Sequence, residues 1–260
     1  MGRRLYRLLA RGLERLLVPR CDGVVTTTQG WARIIAARYG KEAIVVRNAP
    51  EVTGRIVPVS WRQRLHLPPE RKILLYAGGL QEGRGLFPIV EALPALPHCD
   101  LLLLGRSIDR MRERLEERSA SLGVRGRVHF LPPVPAAGLL AHLGDADLGL
   151  SLIEATSLSH RYCLPNKVFE YLVAGIPVLV SDLPEMRDFV TTCRVGWVAP
   201  SLEATVLSAT IEGIFANREA FRETVTRIAR LHPSFTWQGE GAKLIAGYQA
   251  FTPTRKGRAP

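Results

Sequence analysis

Short runs of apolar residues alternate along the chain with segments of helical length that mix apolar and polar positions. On this pattern the sequence predicts eight strands, at residues 24–28, 43–48, 72–79, 100–105, 127–132, 148–153, 176–182 and 195–200. Most runs are continuously apolar, as in strands covered on both faces, and few hairpin signals separate them. We therefore predict an α/β fold with a doubly wound parallel sheet whose strands are joined by right-handed crossovers.

The last six runs make one complete domain, whereas the first two belong to an incomplete unit. Only one helix, around Trp31 to Tyr39, accompanies these two runs before a polar, proline-containing stretch at 49–60. One β-α-β unit of about 30 residues cannot cover both faces of a parallel sheet. We expect it to need strands that this sequence does not contain.

The N-terminus has a different pattern, in which leucines recur at helical spacing with arginines between them. The leucines are Leu5, Leu8, Leu9, Leu13, Leu16 and Leu17, and the arginines are Arg3, Arg4, Arg7, Arg11 and Arg15. No apolar run approaches the roughly 18 residues of a membrane span, and arginine interrupts this segment too often for a secretory signal. We predict a cytoplasmic protein with an amphipathic helix that needs an apolar partner.

Charge sets the N-terminal part apart as well. The 260 residues carry a formal net charge of +11, and residues 1–72 hold +10 of it, from 15 Lys or Arg and 5 Asp or Glu. A basic segment on a neutral body indicates an anionic membrane surface or a nucleic acid, with a solvated basic helix as the alternative. We expect the inner face of the cell membrane as partner, and no nucleic acid.

The cysteines and the overall composition favour a globular protein of a reducing compartment. Four cysteines, Cys21, Cys99, Cys163 and Cys193, are scattered without a C-x-x-C motif or a Cys/His cluster. This spacing argues against a zinc site and against a disulfide framework. With 47% hydrophobic residues, the chain can bury one large core or two modest ones.

A glycine-rich segment, YAGGLQEGRG at 76–85, follows the third apolar run. It matches the phosphate-binding pattern G-x-x-x-x-G-K-[ST] until Arg84 replaces the lysine and Gly85 replaces the hydroxyl that binds magnesium. Glycines allow a tight turn and close backbone approach, and Arg84 offers a delocalised cation to a diphosphate. The alternative is a glycine-rich turn that serves packing only.

A second segment with chemical potential is LPNKVFEYLVAGIPVLVSDLPE, at 164–185. Asn166 is predicted to cap a short helix that Gly175 ends, with Lys167, Glu170 and Tyr171 on the face away from the core. A carboxylate such as Glu170 near a helix start can accept hydrogen bonds from a ribose diol. Its alternative role is stabilisation of the helix dipole.

Together, YAGGLQEGRG, RVHFLPPVP, DADLGLSLI and LPNKVFEYLVAGIPVLVSDLPE resemble the donor-binding half of a family 4 glycosyltransferase of the GT-B fold. The resemblance spans residues 20 to 251 in order, and its most specific part is the PNK-x-FEY-x-x-AG-x-PV string. Within that family the chain is similar to the branch that assembles bacterial surface polysaccharides. The implied activity is transfer of a sugar, with retention, from a nucleotide-diphosphate sugar to a saccharide or lipid-linked acceptor.

The resemblance also implies roles for individual residues. Glu170 would hold the ribose and Arg84 would neutralise the diphosphate, without a metal or other cofactor. Gly78, Gly79 and Gly83 would shape the glycine-rich segment, and the backbone around Leu131, Pro132 and Pro133 would contact the nucleobase. Asn166 and Lys167, at the helix start, complete the predicted donor-binding set, since free amides there would face the leaving phosphate.

Two positions depart from the family pattern. Tyr162 stands where many members have a glutamate, and Gly79 where many have an arginine. Glu154 can substitute if its loop folds back, although a solvated loop charge is the alternative. The roles of His160 and Arg161 stay open, and no catalytic residue is assigned.

The resemblance divides the chain into a remnant of an acceptor-side domain at 1–50, a donor-binding domain at 51–235, and a returning helix with a tail at 236–260. A cleft with one wall should bind a donor better than it catalyses transfer. We therefore expect a transferase that is incomplete alone, with its other half on a separate chain or upstream. The alternatives are a nucleotide-sugar binding subunit or inactive remnant, and a dinucleotide oxidoreductase. The last is disfavoured because no G-x-G-x-x-G opens the first unit.

Overall fold

The computed structural model of the protein describes residues 3–54 and 56–251. The predicted tail at 252–260 and the side chains of Arg3, Arg4 and Arg7 lie outside the described residues. The chain divides into two compact units. One combines Met1–Asn48 with Trp237–Pro260, and the other is Ala49–Thr236.

The larger unit contains a six-stranded, fully parallel sheet, as predicted. Its strands are β3 (Lys72–Ala77), β4 (Cys99–Leu104), β5 (Val128–Leu131), β6 (Leu148–Ser151), β7 (Val178–Ser181) and β8 (Gly196–Ala199). Their order is β5-β4-β3-β6-β7-β8. The chain therefore winds outward from β3 in one direction and then from β6 in the other, and the order reverses between these two strands.

Helices cover both faces of this sheet. The helices of this unit are α3 (Trp61–Arg64), α4 (Leu86–Ala92), α5 (Met111–Ser121), α6 (Ala136–Leu143), α7 (Leu158–Arg161), α8 (Asn166–Val173), α9 (Pro184–Cys193), α10 (Ala204–Ala216) and α11 (Arg218–Leu231). Short 3-10 turns occur at Leu93–Ala95, Arg125–Arg127 and His232–Phe235.

The core lies in two layers because successive residues of each strand point to opposite faces. Leu75 and Leu102 belong to one layer, with Phe169 of α8. Leu74 and Leu101 belong to the other, with Ile89 of α4. In register, Leu74 pairs with Leu101 and Leu75 with Leu102. Burial on both faces is why these strands are almost continuously apolar.

The smaller unit holds the two remaining predicted strands, β1 (Val24–Thr26) and β2 (Ala43–Val45), which pair in parallel. Its helices are α1 (Arg3–Leu17), α2 (Gln29–Tyr39) and α12 (Trp237–Phe251), with a 3-10 turn at Val18–Arg20. All six leucines of α1 are exposed, from 47% at Leu5 to 66% at Leu8. Among the described residues, no helix is long and apolar enough to cross a membrane.

Candidate functional site

The loops that follow β3 and β6 meet at the point where the strand order reverses. In doubly wound sheets, ligands bind at the carboxyl ends of the strands at such a reversal. The Glu154 amide, after β6, donates a hydrogen bond of 3.1 Å to the Gly83 carbonyl, after β3. We call the residues gathered here, the glycine-rich segment 78–85 with Lys167 and Glu170 of α8, the switch-point site.

The glycine-rich segment folds as a turn that only glycine accommodates at several positions. Gly78, Gly83 and Gly85 have φ values of +138°, +76° and +65°, in the region that glycine favours. A side chain at Gly85 would also collide with the Leu152 backbone. Gly85 is therefore determined by packing against the loop after β6, a reason that the sequence pattern did not reveal. Gly79 is anchored by its carbonyl, which accepts a hydrogen bond of 2.8 Å from the Tyr76 hydroxyl.

Arg84 is half-buried within this segment, two residues before α4 begins. The Gln81 carboxamide, oriented with its oxygen toward Arg84, accepts hydrogen bonds from Nη2 at 2.9 Å and Nε at 3.1 Å. A neutral partner orients the guanidinium and leaves its positive charge uncompensated by that contact. Gln81 is a member of the site that sequence reasoning missed.

Lys167 extends from the first turn of α8 to the glycine-rich segment. Its Nζ lies 3.6 Å from the centroid of the Tyr76 ring and 3.2 Å from the position that a Cβ at Gly78 would occupy. Burial, followed by the neighbouring Arg84 guanidinium, lowers the pKa of Lys167 to about 7. Burial also raises the pKa of Tyr76 to about 12, so its hydroxyl stays protonated.

The structure corrects two expectations for α8. Asn166 is the first residue of the helix and not its cap, which is Pro165, without a side-chain cap hydrogen bond. Tyr171 lies in the core, where its hydroxyl accepts from the Ala77 amide at 2.7 Å and donates to the Leu150 carbonyl at 3.3 Å. The expected end of the helix is confirmed, since Gly175 follows it with φ of +82°.

Glu170 faces a cleft of about 470 Å³. One wall contains Glu51, Thr53 and Ile56, and α6, from Ala136 to Ala141, forms the other. Burial raises the pKa of Glu170, and the Lys167 ammonium opposes this by lowering it. The cleft thus offers the Glu170 carboxylate in a lining that combines Glu51 and Thr53 with apolar side chains, which suits a ring with hydroxyl groups at its edge.

Leu131 and Pro132 stand at the end of β5. Leu131 is buried, and its carbonyl accepts a hydrogen bond of 3.2 Å from the Gly105 amide, while Pro132 is exposed. The chain then continues into α6, which lines the cleft. The predicted contact of this backbone with a base stays a prediction.

The loop after β6 lies against the glycine-rich segment. His160 Nδ1 is 2.9 Å from Thr156 Oγ1 and 3.1 Å from the Glu154 carbonyl, and its ring borders Gly83. The backbone of this loop does approach the segment, as the suggested substitution by Glu154 requires. Arg161 is exposed. Thr156 was missed by sequence reasoning, because only the fold brings it near Gly83.

A family model described as "Glycosyl transferases group 1" matches residues 59–232. A D-inositol 3-phosphate glycosyltransferase of Geodermatophilus obscurus is 25% identical over 91% of this chain and 54% of its own length. The lipopolysaccharide core biosynthesis glycosyltransferase LpsE of Rhizobium meliloti is 33% identical over 75% of this chain and 54% of its own length. The chain therefore spans about half the length of these curated relatives.

Solved structures share the fold at low sequence identity. The structure of Anabaena Alr3699/HepE in complex with UDP has a TM-score of 0.77 at 16% identity, covering 92% of this chain and 67% of that one. A sucrose-phosphate synthase from Thermosynechococcus elongatus has a TM-score of 0.71 at 20% identity, covering 92% and 61%. The α/β fold with a parallel six-stranded sheet thus agrees with GT-B glycosyltransferase structures.

Proposed function

The chain belongs to the glycosyl transferases group 1 family, and from this premise we propose that its switch-point site binds a nucleotide-diphosphate sugar as donor. The observation that carries the proposal is the meeting of Arg84 and Lys167 at a glycine-rich turn at the reversal of strand order, with Glu170 one turn further along α8 and facing a cleft. Two cations beside a helix start suit a diphosphate, and Glu170 beside the cleft suits a ribose.

The reaction proposed for the complete enzyme is transfer of the sugar to a saccharide or lipid-linked acceptor, with retention at the anomeric carbon. The bond from that carbon to the β-phosphate oxygen breaks, and a bond to an acceptor hydroxyl oxygen forms. The hydroxyl proton ends on the released diphosphate. Arg84 would stabilise the negative charge that develops on the leaving group, a role that a metal ion fills in other phosphate sites.

We infer that the chain alone is incomplete as a catalyst, because a donor site needs a facing wall to exclude water. Its two-stranded smaller unit and its coverage of about half of its relatives support this inference. A separate N-terminal half would be the missing partner. The second candidate, a nucleotide-sugar binding subunit without activity, is favoured by Tyr162 and Gly79 in place of the family's glutamate and arginine.

We further propose a place in surface-polysaccharide assembly at the cytoplasmic face of the membrane. The similarity to LpsE, whose name refers to lipopolysaccharide core biosynthesis, supports the pathway class. The exposed leucines of α1 support the membrane location.

Isothermal titration of the full chain with UDP, GDP and ADP tests donor binding. One of the three should bind with a Kd between about 1 μM and 1 mM, the range of KM values for enzyme substrates. EDTA should leave this affinity unchanged, since the proposed phosphate ligands are side chains and amides. Loss of binding on chelation would contradict metal independence, and no binding of any nucleotide would contradict the donor site itself.

A further inference from the structure

The glycine-rich segment contributes one cation, Arg84, to a site proposed for a diphosphate that carries about two negative charges as a sugar ester. A single guanidinium seldom holds such a ligand alone, and a second cation is normally supplied by a nearby side chain. Gly79, which the Tyr76 hydroxyl anchors, offers no side chain. The question is which residue supplies the second charge.

Lys167 is placed to do so. Its Nζ lies over the Tyr76 ring at 3.6 Å and borders Gly78, directly beside the turn that would cradle the phosphates. It reaches this position from the first turn of α8, where backbone amides without helical partners also favour an anion. The ring positions the ammonium by a cation-π contact and leaves its N–H groups available to donate.

The charged and titratable groups around Lys167 come from every element packed against it. Arg84, from the glycine-rich segment, disfavours the ammonium, while Glu170 of the same helix and Cys163 of the preceding loop favour it. Tyr76 of β3 is uncharged. With burial added, the amine is only partly charged near neutral pH in the absence of ligand.

We propose that Lys167 is the second phosphate ligand of the switch-point site and that its amine takes up a proton when a diphosphate binds. This inference rests on the proposed function and adds a pH dependence to it. A bound diphosphate favours the charged amine, because it brings negative charge into a partly buried site.

Protonation of Lys167 and binding of the diphosphate are thermodynamically linked. Ligand raises the pKa of Lys167 from about 7, so the affinity is highest below that pH, where the amine is already charged. As pH rises above about 7, binding must include proton uptake, and the affinity falls by up to about tenfold per pH unit until the bound-state pKa is reached.

The test is titration of the full chain with UDP-glucose and GDP-glucose, from about pH 6 to about pH 9, in buffers of different ionisation enthalpy. Sugar esters are used because, unlike free nucleoside diphosphates, they lack the terminal phosphate proton that titrates at about pH 6. The wild type should lose at least about tenfold in affinity across this range and take up close to one proton at about pH 8.

Lys167→Met should weaken binding at about pH 6 by roughly ten- to a hundredfold, the scale of a charge-assisted hydrogen bond, and should remove the proton uptake. Lys167→Arg should keep the affinity and lose the pH dependence. Lys72→Met is the matched control, since Lys72 also lies over an aromatic ring, at 5.5 Å from Phe215, but at the opposite end of β3. It should retain both the affinity and the pH profile.

The outcomes separate this inference from the proposed function. If neither sugar nucleotide binds the wild type at any pH, both fail. If the wild type binds with no proton uptake, or if Lys167→Met binds as tightly as the wild type, only the role of Lys167 is overturned. The wild-type measurement decides even if a Lys167 variant does not fold.

Discussion

At the scale of single residues, two charged side chains define the candidate site: Glu170 faces a cleft, and Arg84 lies in the glycine-rich turn. Motifs alone pointed to both residues, and their roles toward a ligand stay predictions. The helical pattern placed Tyr171 on the wrong face of α8, because successive residues differ by about 100° in direction and the pattern does not fix the direction of a side chain more finely. A tyrosine can also enter the core if its hydroxyl finds hydrogen-bond partners there. Ala77 and Leu150 provide these partners, and they belong to different strands.

Glu170→Gln should weaken nucleotide binding by about 1–3 kcal/mol, the cost of a poorly paired polar partner, with little effect on folding. The amide keeps the shape of the side chain but presents only one acceptor to the ribose diol. Titration with UDP or GDP, whichever binds, measures the loss.

The matched control for this change is Glu116→Gln, a half-buried glutamate of α5 outside the switch-point site, which should bind as the wild type does. A nucleotide that lacks both ribose hydroxyls adds a second arm, because it should bind the wild type and Glu170→Gln about equally well. If Glu170→Gln lowers its affinity as much as that of the normal nucleotide, then Glu170 does not act on the ribose.

At the scale of elements, all eight predicted strands exist. For the strands of the larger unit the reason is burial on both faces, which leaves short, continuously apolar runs. The loops were less predictable, since their contacts depend on the assembled sheet. The prediction that Asn166 caps α8 was wrong, because Pro165 has the extended conformation of the capping position and the helix begins at Asn166. The sequence showed that Gly85 lacks the hydroxyl of the phosphate-binding pattern. It could not show that a side chain at Gly85 would collide with Leu152, because that contact depends on two loops that are distant in sequence.

A polar network ties the amino ends of β4 and β5 to the start of β3. Asp100 is 2% exposed, forms an ion pair with Arg71 and accepts a hydrogen bond from His129 at 2.8 Å. Burial raises the pKa of Asp100, but the hydrogen bonds of His129 and Arg71 outweigh it, so the net shift is downward. A lowered pKa means that the contribution to stability is present above the unfolded pKa of about 3.9 and is lost as pH falls through the folded value.

We expect Asp100→Asn to lower the free energy of unfolding by about 1.5–3 kcal/mol at pH near 7, since it weakens buried charge-assisted hydrogen bonds. Urea unfolding measures the change, and the difference from the wild type should shrink at pH near 3. Asp182→Asn is the control, because its exposed pair with Arg187 should contribute less than about 1 kcal/mol. Equal losses in the two variants would show that the burial of Asp100 is not what matters.

At the scale of the whole molecule, the two units differ in how completely their sheets are covered. The larger unit buries its sheet between two layers of helices, in agreement with the sequence. The smaller unit has two strands of three residues each and a helix, α1, whose leucines are 47% to 66% exposed. The sequence pattern predicted that this unit has too few strands to cover the apolar face of α1, since an amphipathic helix without a matching set of strands has no core to enter. It could not identify what covers the leucines.

The exposed face of α1 should bind an anionic bilayer. Leu8 and Leu13 are 66% and 57% exposed, and Arg11 and Arg15 lie on the same helix. Such a helix buries its apolar face at the lipid boundary, while each arginine adds about 1 kcal/mol of attraction to anionic headgroups. The chain should therefore sediment with vesicles rich in phosphatidylserine at low salt and be released at high salt, because salt screens the charges.

The variant Leu8→Ser/Leu13→Ser should lose most of this binding while keeping its nucleotide affinity. Its control is Ile245→Ser, which removes an apolar side chain that is 62% exposed on α12 of the same unit. If only the general apolar character of the surface matters, the control should bind as weakly as the α1 variant. Sedimentation of the α1 variant at the wild-type level would show that the leucine face does not hold the chain on the vesicles, and would overturn this prediction.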